Sequence, residues 1–378
     1  MNESDVFDFA VVGGGIAGAS VAYRLSRHAR VVVLEREEQP GYHSTGRSAA
    51  MFMEAYGTPQ IQALTRASRA FYEQPPEGFA EHPILSSRGC LYLGKTGQEA
   101  LLQQVYEETV KAAPNVSLLS VDDAMSRVPC LRADRLIGAM FEPEAQDLDV
   151  HGLHQGFLKA MRQQGGVLRC KAEVASAVRD AGHWTLTLAD GQTVRAAHVV
   201  NAAGAWADHV AAHFGVQPIG LEPRRRTAFT FAGPEGVDCS QWPTVSDLDE
   251  QFYFKPDAGQ LLGSPANADP VAAHDVMPEE LDVATGIYHI EEATTLTIRR
   301  PRHTWAGLRS FVRDGDLVVG WDDAMPGFFW LAAQGGYGIQ SAAGVSELAA
   351  ALLLNQPVPD TLLAHGVQAA VIAPARLR

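Results

Sequence analysis

The sequence predicts an α/β fold in which a parallel-sheet nucleotide-binding domain is interleaved with a second, largely antiparallel α+β domain. Three observations predict it. The chain opens on a strand, a glycine turn, a helix and a second strand; strand-to-glycine-turn-to-helix segments recur near residues 198–206 and 327–354; and the stretches from about 86 to 145 and 222 to 315 carry many short strand and turn signals.

The opening unit is the most informative. Val6 to Val12 is an apolar run broken only by Asp8, as expected of a buried parallel strand. Gly13-Gly14-Gly15-Ile16-Ala17-Gly18 follows at once, then a segment of helical composition from Ala19 to His28, then Arg30-Val31-Val32-Val33-Leu34 ending in Glu35. Gly13 permits the tight turn, Gly15 lets the backbone approach a pyrophosphate, and Gly18 lets helix and strand pack closely. The helix N-terminus offers free N–H groups and partial positive charge to that pyrophosphate. Glu35 is placed to accept hydrogen bonds from ribose hydroxyls, which favours FAD or NAD over NADP. The unit is a Rossmann-type fingerprint with both strands and the acid in register.

Further elements follow the same logic. His198-Val199-Val200-Asn201 reads as a strand entering a turn at Ala203-Gly204-Ala205-Trp206. Trp184 to Leu188 and Thr193 to Arg195 bracket Asp190-Gly191, a hairpin signal. Asp149 to Gln163 reads as a helix with Leu153, Phe157 and Met161 on one face. Phe229-Thr230-Phe231, Phe252-Tyr253-Phe254 and Leu296-Thr297-Ile298 read as strands. The segment from Gly327 to Gln340 runs from an aromatic strand through glycines into an Ala-rich helix reaching about Leu354, and a helix N-terminus at Gly336 to Gln340 is expected to stabilise negative charge. These signals assign residues 1–85, 146–221 and 316–378 to the nucleotide-binding domain and 86–145 and 222–315 to its partner.

Composition excludes other classes. With 378 residues, 46% hydrophobic and 20% charged, the chain suits two joined globular domains. Its net charge of −14 argues against nucleic acid or an anionic membrane as partner. Cys90, Cys130, Cys170 and Cys239 are scattered and form no C-x-x-C pair, so reduced thiols and no metal site are expected. The N-terminus is acidic where a signal peptide would be basic, and no apolar run reaches 18 residues, so a cytoplasmic protein without a transmembrane segment is expected.

Gly13 to Gly18, Leu34-Glu35-Arg36, His43-Ser44-Thr45-Gly46-Arg47-Ser48, Asn201 to Trp206 and the 327–340 segment together resemble the D-amino acid oxidase superfamily of FAD enzymes. Leu262 to Pro270 and Thr304 to Arg309 extend the likeness, within that group, to the bacterial D-arginine dehydrogenases. The resemblance implies noncovalent FAD held by Gly13, Gly15, Ile16, Ala17, Gly18, Glu35, Arg36, His43, Ser44, Thr45, Arg47, Ser48, Ala49, Ala203, Gly204, Trp206, Gly335, Tyr337, Gly338 and Ile339.

It further implies oxidative deamination of a D-amino acid to a 2-oxo acid and ammonia, by hydride transfer from Cα to flavin N5. Arg309 and Tyr253 would bind the α-carboxylate, Tyr56 would belong to a closing loop, and Arg226, Gly336 and Gln340 would complete the catalytic set. Met51 and Cys90 depart from the pattern. They stand where the D-arginine dehydrogenases carry a histidine and the glutamate that pairs with a cationic side chain, which turns the expectation to neutral or hydrophobic substrates. Glu54, in the loop, and Asp322-Asp323 are alternative sources of that acid, which would restore a basic D-amino acid as substrate. The electron acceptor is expected to be a quinone, a dye or oxygen. An L-amino acid, N-methyl amino acid or 2-hydroxy acid substrate, and a flavin-binding protein without turnover, are the other readings.

Overall fold

The computed structural model describes residues 6–378; the acidic Met1–Asp5 segment lies outside the described residues. Two large sheets dominate it. The first has eight strands, with Thr193–Asn201, Val6–Val12, Val31–Leu34 and Val167–Arg169 adjacent and parallel. Phe328–Ala332 joins the far edge of Thr193–Asn201 in parallel, and Val318–Trp321 pairs with it antiparallel. The hairpin strands Val174–Asp180 and His183–Leu188 extend the same sheet.

Period-two alternation explains why the central strands read as continuous apolar runs. Phe9, Val11, Val31 and Val33 enter one core with the helices Ile16–Leu25, Pro59–Glu73, Val150–Gln163 and Ala342–Leu353. Ala10, Val12, Val32 and Leu34 enter another with Trp184, Ala207 and Phe214. Both faces are covered, so both sets of side chains must be apolar. The Val150–Gln163 helix starts where Asp149 caps it, its carboxylate accepting from the Gly152 N–H at 2.8 Å.

The second sheet has nine strands and is antiparallel except for one pair, Thr244–Asp247 against Cys90–Lys95. Its centre is the long pair Glu222–Phe231 and His303–Phe311. A small sheet of Met51–Phe52, Gln146–Leu148 and Leu85–Ser87 lies where the chain passes between the two. The strands of the first sheet come from 6–12, 31–34, 167–201 and 318–332, and those of the second from 90–142, 222–270 and 303–311.

Three local expectations need correction. Leu296-Thr297-Ile298 forms no strand; Leu296 and Ile298 pack into the core beneath the Glu280–Ala293 helix, itself not foreseen because its apolar stripe is narrow. The first helix begins at Ile16 rather than Ala19. Residues 335–341 form consecutive turns, so the last long helix starts at Ala342 and Gly336 to Gln340 are not its N-terminus. Among the described residues no helix is long and apolar enough to cross a membrane.

Candidate active site

The glycines of the opening turn do three different jobs. Gly13 has φ +106°, and a Cβ there would lie 2.4 Å from the Ala202 carbonyl oxygen. At Gly18 a Cβ would fall 1.9 Å from the Gly13 carbonyl oxygen, so helix and turn could not close. At Gly15 a Cβ meets only the Thr45 hydroxyl, at 3.2 Å, a contact that a small shift relieves. The protein itself makes little demand for glycine at 15; what the bare position leaves open is the approach to the helix N-terminus, where the N-cap residue has no side chain to offer. Thr45 Oγ1 accepts from the Ile16 N–H at 3.0 Å. Ala17 packs towards the helical core.

Glu35 is fixed before any ligand arrives. One carboxylate oxygen accepts from the Gly14 N–H at 2.7 Å and the other from the Glu37 N–H at 2.9 Å. Each such charge-assisted bond contributes roughly 1.5–3 kcal/mol, and the spare lone pairs face a cavity of about 400 Å³. Gly13, Gly15, Arg36, Ala203 and Gly204 also line it. At its outer wall the Arg36 guanidinium stands 4.3 Å above the Trp206 ring, and the His43 ring lies 4.6 Å from the same indole. His43 Nε2 is 2.9 Å from a Glu37 oxygen.

A narrow channel of about 100 Å³ continues from Ser44 and Thr45 past Ser48, Ala49, Gly335 and Gly338. The Ser44 hydroxyl donates to the Leu308 carbonyl at 2.6 Å, tying this loop to the second sheet. One feature fits the channel to a planar polar ring: Gln334 Nε2 is buried there without a hydrogen-bond partner. Arg47 lines the channel and gives its guanidinium to the carbonyls of Val276 and Ala306 and to Asp275, which braces the loop. Tyr337 stands behind the channel with its ring 5.0 Å from that of Tyr56.

The channel opens on a cavity of about 290 Å³, and Arg309, Arg226, Tyr253 and Gly336 line both. Strand pairing explains the convergence. Arg226 lies opposite Gly307, two residues before Arg309, so both guanidinium groups leave the same face across a position with no side chain. Alternation sends Arg225 to the other face, where it meets Asp282 and Glu279, while Arg224 and Arg226 share the Arg309 face; of these two Arg224 pairs with Glu222 and Arg226 lines the cavity. Arg226 Nε is buried without a partner. Burial and the neighbouring Arg309 both push its pKa down. Arg309 packs on Gly336, where a Cβ would come within 2.7 Å of its guanidinium, and it hydrogen-bonds Tyr56. Burial acts to lower its pKa, but Tyr56 and Tyr253 outweigh that and hold it above its usual value. Two buried cations with an orphaned N–H between an aromatic pair make an anion site.

Gln340, expected among the catalytic groups, lines the cavity and is held by its neighbours. Its carbonyl accepts from the Met53 N–H at 3.3 Å and its amide donates to Thr65 at 3.0 Å, so it pins the loop that carries Tyr56. Met51, Met53, Cys90, Val105 and Met140 make an apolar part of the wall, and Thr244, Ser246, Asp247 and Glu250 a polar part. Cys90 is 1% exposed and burial raises its pKa, so it is an inert thiol. Neither substitute acid reaches the cavity. Glu54 is turned to Arg69 at 2.7 Å, and Asp322 accepts from Trp330 Nε1 and Arg378 on the other side of the first sheet.

Three residues absent from the sequence-based expectations complete the site. Lys255, 4% exposed, bridges Asp147 at 2.5 Å and the Ala49 carbonyl at 3.0 Å, holding the 48–51 loop in place; a lysine inside an aromatic strand was the available signal. Tyr92 lines the cavity and donates to Glu142, which is 2% exposed. Glu142 lies directly opposite Cys90 across a strand pair that joins residues 52 apart, a relation that spacing cannot reveal.

The FAD dependent oxidoreductase (DAO) family model matches residues 8–352. The chain belongs to this family. FAD is therefore its cofactor, and the cradle, the Glu35 acceptor and the channel are the features that fit it. Among curated relatives, the FAD-dependent oxidoreductase domain-containing protein 1 of Bos taurus is 25% identical over 92% of this chain and 81% of its own length. The glycine oxidase of Geobacillus kaustophilus is 25% identical over 85% of this chain and 86% of its own. The crystal structure of L-proline dehydrogenase from P. horikoshii superposes with a TM-score of 0.83 at 21% identity, covering 98% of each chain, a likeness of fold.

Proposed function

We propose that this FAD-dependent oxidoreductase deaminates D-amino acids, with a broad preference for neutral or hydrophobic side chains, to 2-oxo acids and ammonia. The observation that carries the reading is the Arg309–Arg226 pair, whose buried, unpartnered N–H calls for an anion beside the FAD channel. The similarity to a glycine oxidase supports an amino-acid substrate.

The substrate carboxylate lies against Arg309, whose planar fork suits bidentate binding, with Tyr253 and Tyr56 closing it from either side. That anchor aims Cα at the channel, and the small residues Ser48 and Ala49 leave room for it. FAD supplies the hydride acceptor, and the amine, as the free base, pushes out the hydride and afterwards loses a proton to water. Water hydrolyses the released imino acid, and a quinone, a dye or oxygen takes the two electrons. The loop pinned by Gln340 excludes water while the anion is bound. Met51, Met53 and Met140 accept side chains of varied shape. The similarity to the dimethylglycine dehydrogenase of Rattus norvegicus, 24% identical over 95% of this chain, favours a second reading, an L- or N-substituted amino acid in the same carboxylate site.

The test is anaerobic flavin reduction with both enantiomers of the common amino acids, together with glycine, sarcosine and proline. D-amino acids bleaching fastest, apolar ones leading, is the expected result. Reduction by L- or N-substituted amino acids alone would replace the first reading by the second, and reduction by none would sink both.

A further inference from the structure

Glu142 is a buried carboxylate that the chemistry above leaves idle. Among the described residues its one hydrogen bond comes from the Tyr92 hydroxyl, at 3.0 Å. Tyr92 lies on the cavity wall beside Cys90 and Met140, and Glu142 faces Cys90 across the Cys90–Lys95 and Leu136–Glu142 strand pair. Side chains of directly paired residues share a face, so the carboxylate lies on the sheet face that carries Cys90 and Tyr92 and reaches the cavity through the Tyr92 hydroxyl rather than lining it.

Other charges stand around it. Glu54 is paired with Arg69, Glu144 accepts from the Asn115 amide, and Cys90 is held as the neutral thiol. Of the two carboxylates that line the cavity itself, Asp247 is paired with Lys95 at 3.0 Å and Glu250 lies towards Arg226 and Tyr337. Glu142 is the carboxylate bonded to the Cys90–Tyr92 wall. We propose that the Tyr92–Glu142 pair is the residue set that decides whether this site accepts a cationic or a neutral substrate side chain. The inference deepens the amino-acid reading, on which it rests for the orientation of the ligand.

Because Tyr92 donates to Glu142, its hydroxyl oxygen is free to accept from a donor on the ligand, and an ionised Glu142 strengthens that acceptor. Burial, with Glu54 and Glu144 adding to it, raises the Glu142 pKa to about 7, against the pull of Tyr92 and Arg69. Below that point the wall is neutral and an apolar side chain is preferred. Above it the wall carries a charge that attracts an ammonium or guanidinium group through a poorly screened gap.

The test uses the FAD-loaded protein and two ligands that lack an α-amine and cannot be oxidised. These are hexanoate and 6-aminohexanoate, which share a carboxylate for Arg309 and differ at the far end. Calorimetric Kd values at pH 6 and pH 8 give the ratio of the two affinities. We expect the ratio to move towards 6-aminohexanoate by roughly tenfold over that interval, to be flat in Glu142→Gln, and to have a higher midpoint in Tyr92→Phe, where the bond that favours the ionised form is gone. A flat ratio in the unaltered protein, or an unchanged slope in Glu142→Gln, overturns the proposal. If neither ligand binds at either pH, the Arg309 anchor is wrong and the inference falls with it. If both bind as expected but no amino acid bleaches the flavin, the deaminase reading fails and the charge selection at Glu142 stands.

Discussion

The nucleotide cradle and the substrate cavity lie along one continuous channel, yet they are built on opposite principles. The cradle is made of backbone: bare positions at Gly13, Gly15 and Gly18, a helix N-terminus, and one acid locked by two N–H groups. The cavity is made of side chains from distant strands, Arg226 and Arg309 brought together by a 222–231 against 303–311 pairing and Cys90 set against Glu142. The first arrangement recognises a ligand that never changes. The second can be retuned by single replacements without disturbing the fold.

The largest effect that sharpens this contrast is at Arg309. Arg309→Leu leaves Arg226 without its companion at a carboxylate that must still be desolvated, a loss of about 2–5 kcal/mol in binding. Flavin reduction by the best amino acid should fall by roughly 10²- to 10⁴-fold, with the bound FAD spectrum retained. Loss of FAD itself would show that the two regions are not separable.

Next in size is the pH dependence of stability at the cavity wall. A carboxyl whose pKa is raised on folding binds its proton more tightly in the native state. The stability it contributes is complete below its unfolded value of 4.5 and is lost as pH rises through about 7. Glu142→Gln should therefore be more stable than the unaltered protein at pH 8 by roughly 2–4 kcal/mol and nearly equal to it at pH 4. Urea midpoints at the two values check this; equal differences at both would show that Glu142 is not held in that state.

A smaller effect belongs to the cradle. Gly15→Ala should leave the melting temperature of the FAD-free protein almost unchanged and weaken FAD by about 1–2 kcal/mol, whereas Gly18→Ala should destabilise the protein with or without FAD. Identical behaviour of the two variants would contradict the separate roles assigned from their surroundings. The smallest effect is expected at Cys90. Iodoacetamide should leave flavin reduction intact, because the thiol is buried and protonated; rapid inactivation by modification at Cys90 would contradict that.

The same contrast explains what could be read in advance. A glycine turn, two strands and an acid within the first 35 residues form a local code, since each is specified by its immediate neighbours. The strand alternation in the first sheet was equally local. Arg226 could be named only through a resemblance, because in Arg224-Arg225-Arg226 three identical side chains meet three different environments, set by the sheet face and by partners such as Glu222 and Asp282. Glu142 and Lys255 were out of reach because their partners, Tyr92 and Asp147, are far away in sequence. Asp322 and Glu54 misled for the converse reason: carboxylates near the right segments proved to be spent on Arg378 and Arg69.

The central claim is that Arg309 and Arg226 hold a substrate carboxylate beside the FAD. It is tested most directly by anaerobic flavin reduction with the best amino acid and with the primary amine of the same side chain that lacks the carboxyl group. The account predicts rapid bleaching by the amino acid and none by the amine at the same concentration. Equal rates for the two would contradict it, and would assign the buried arginine pair to some other anion.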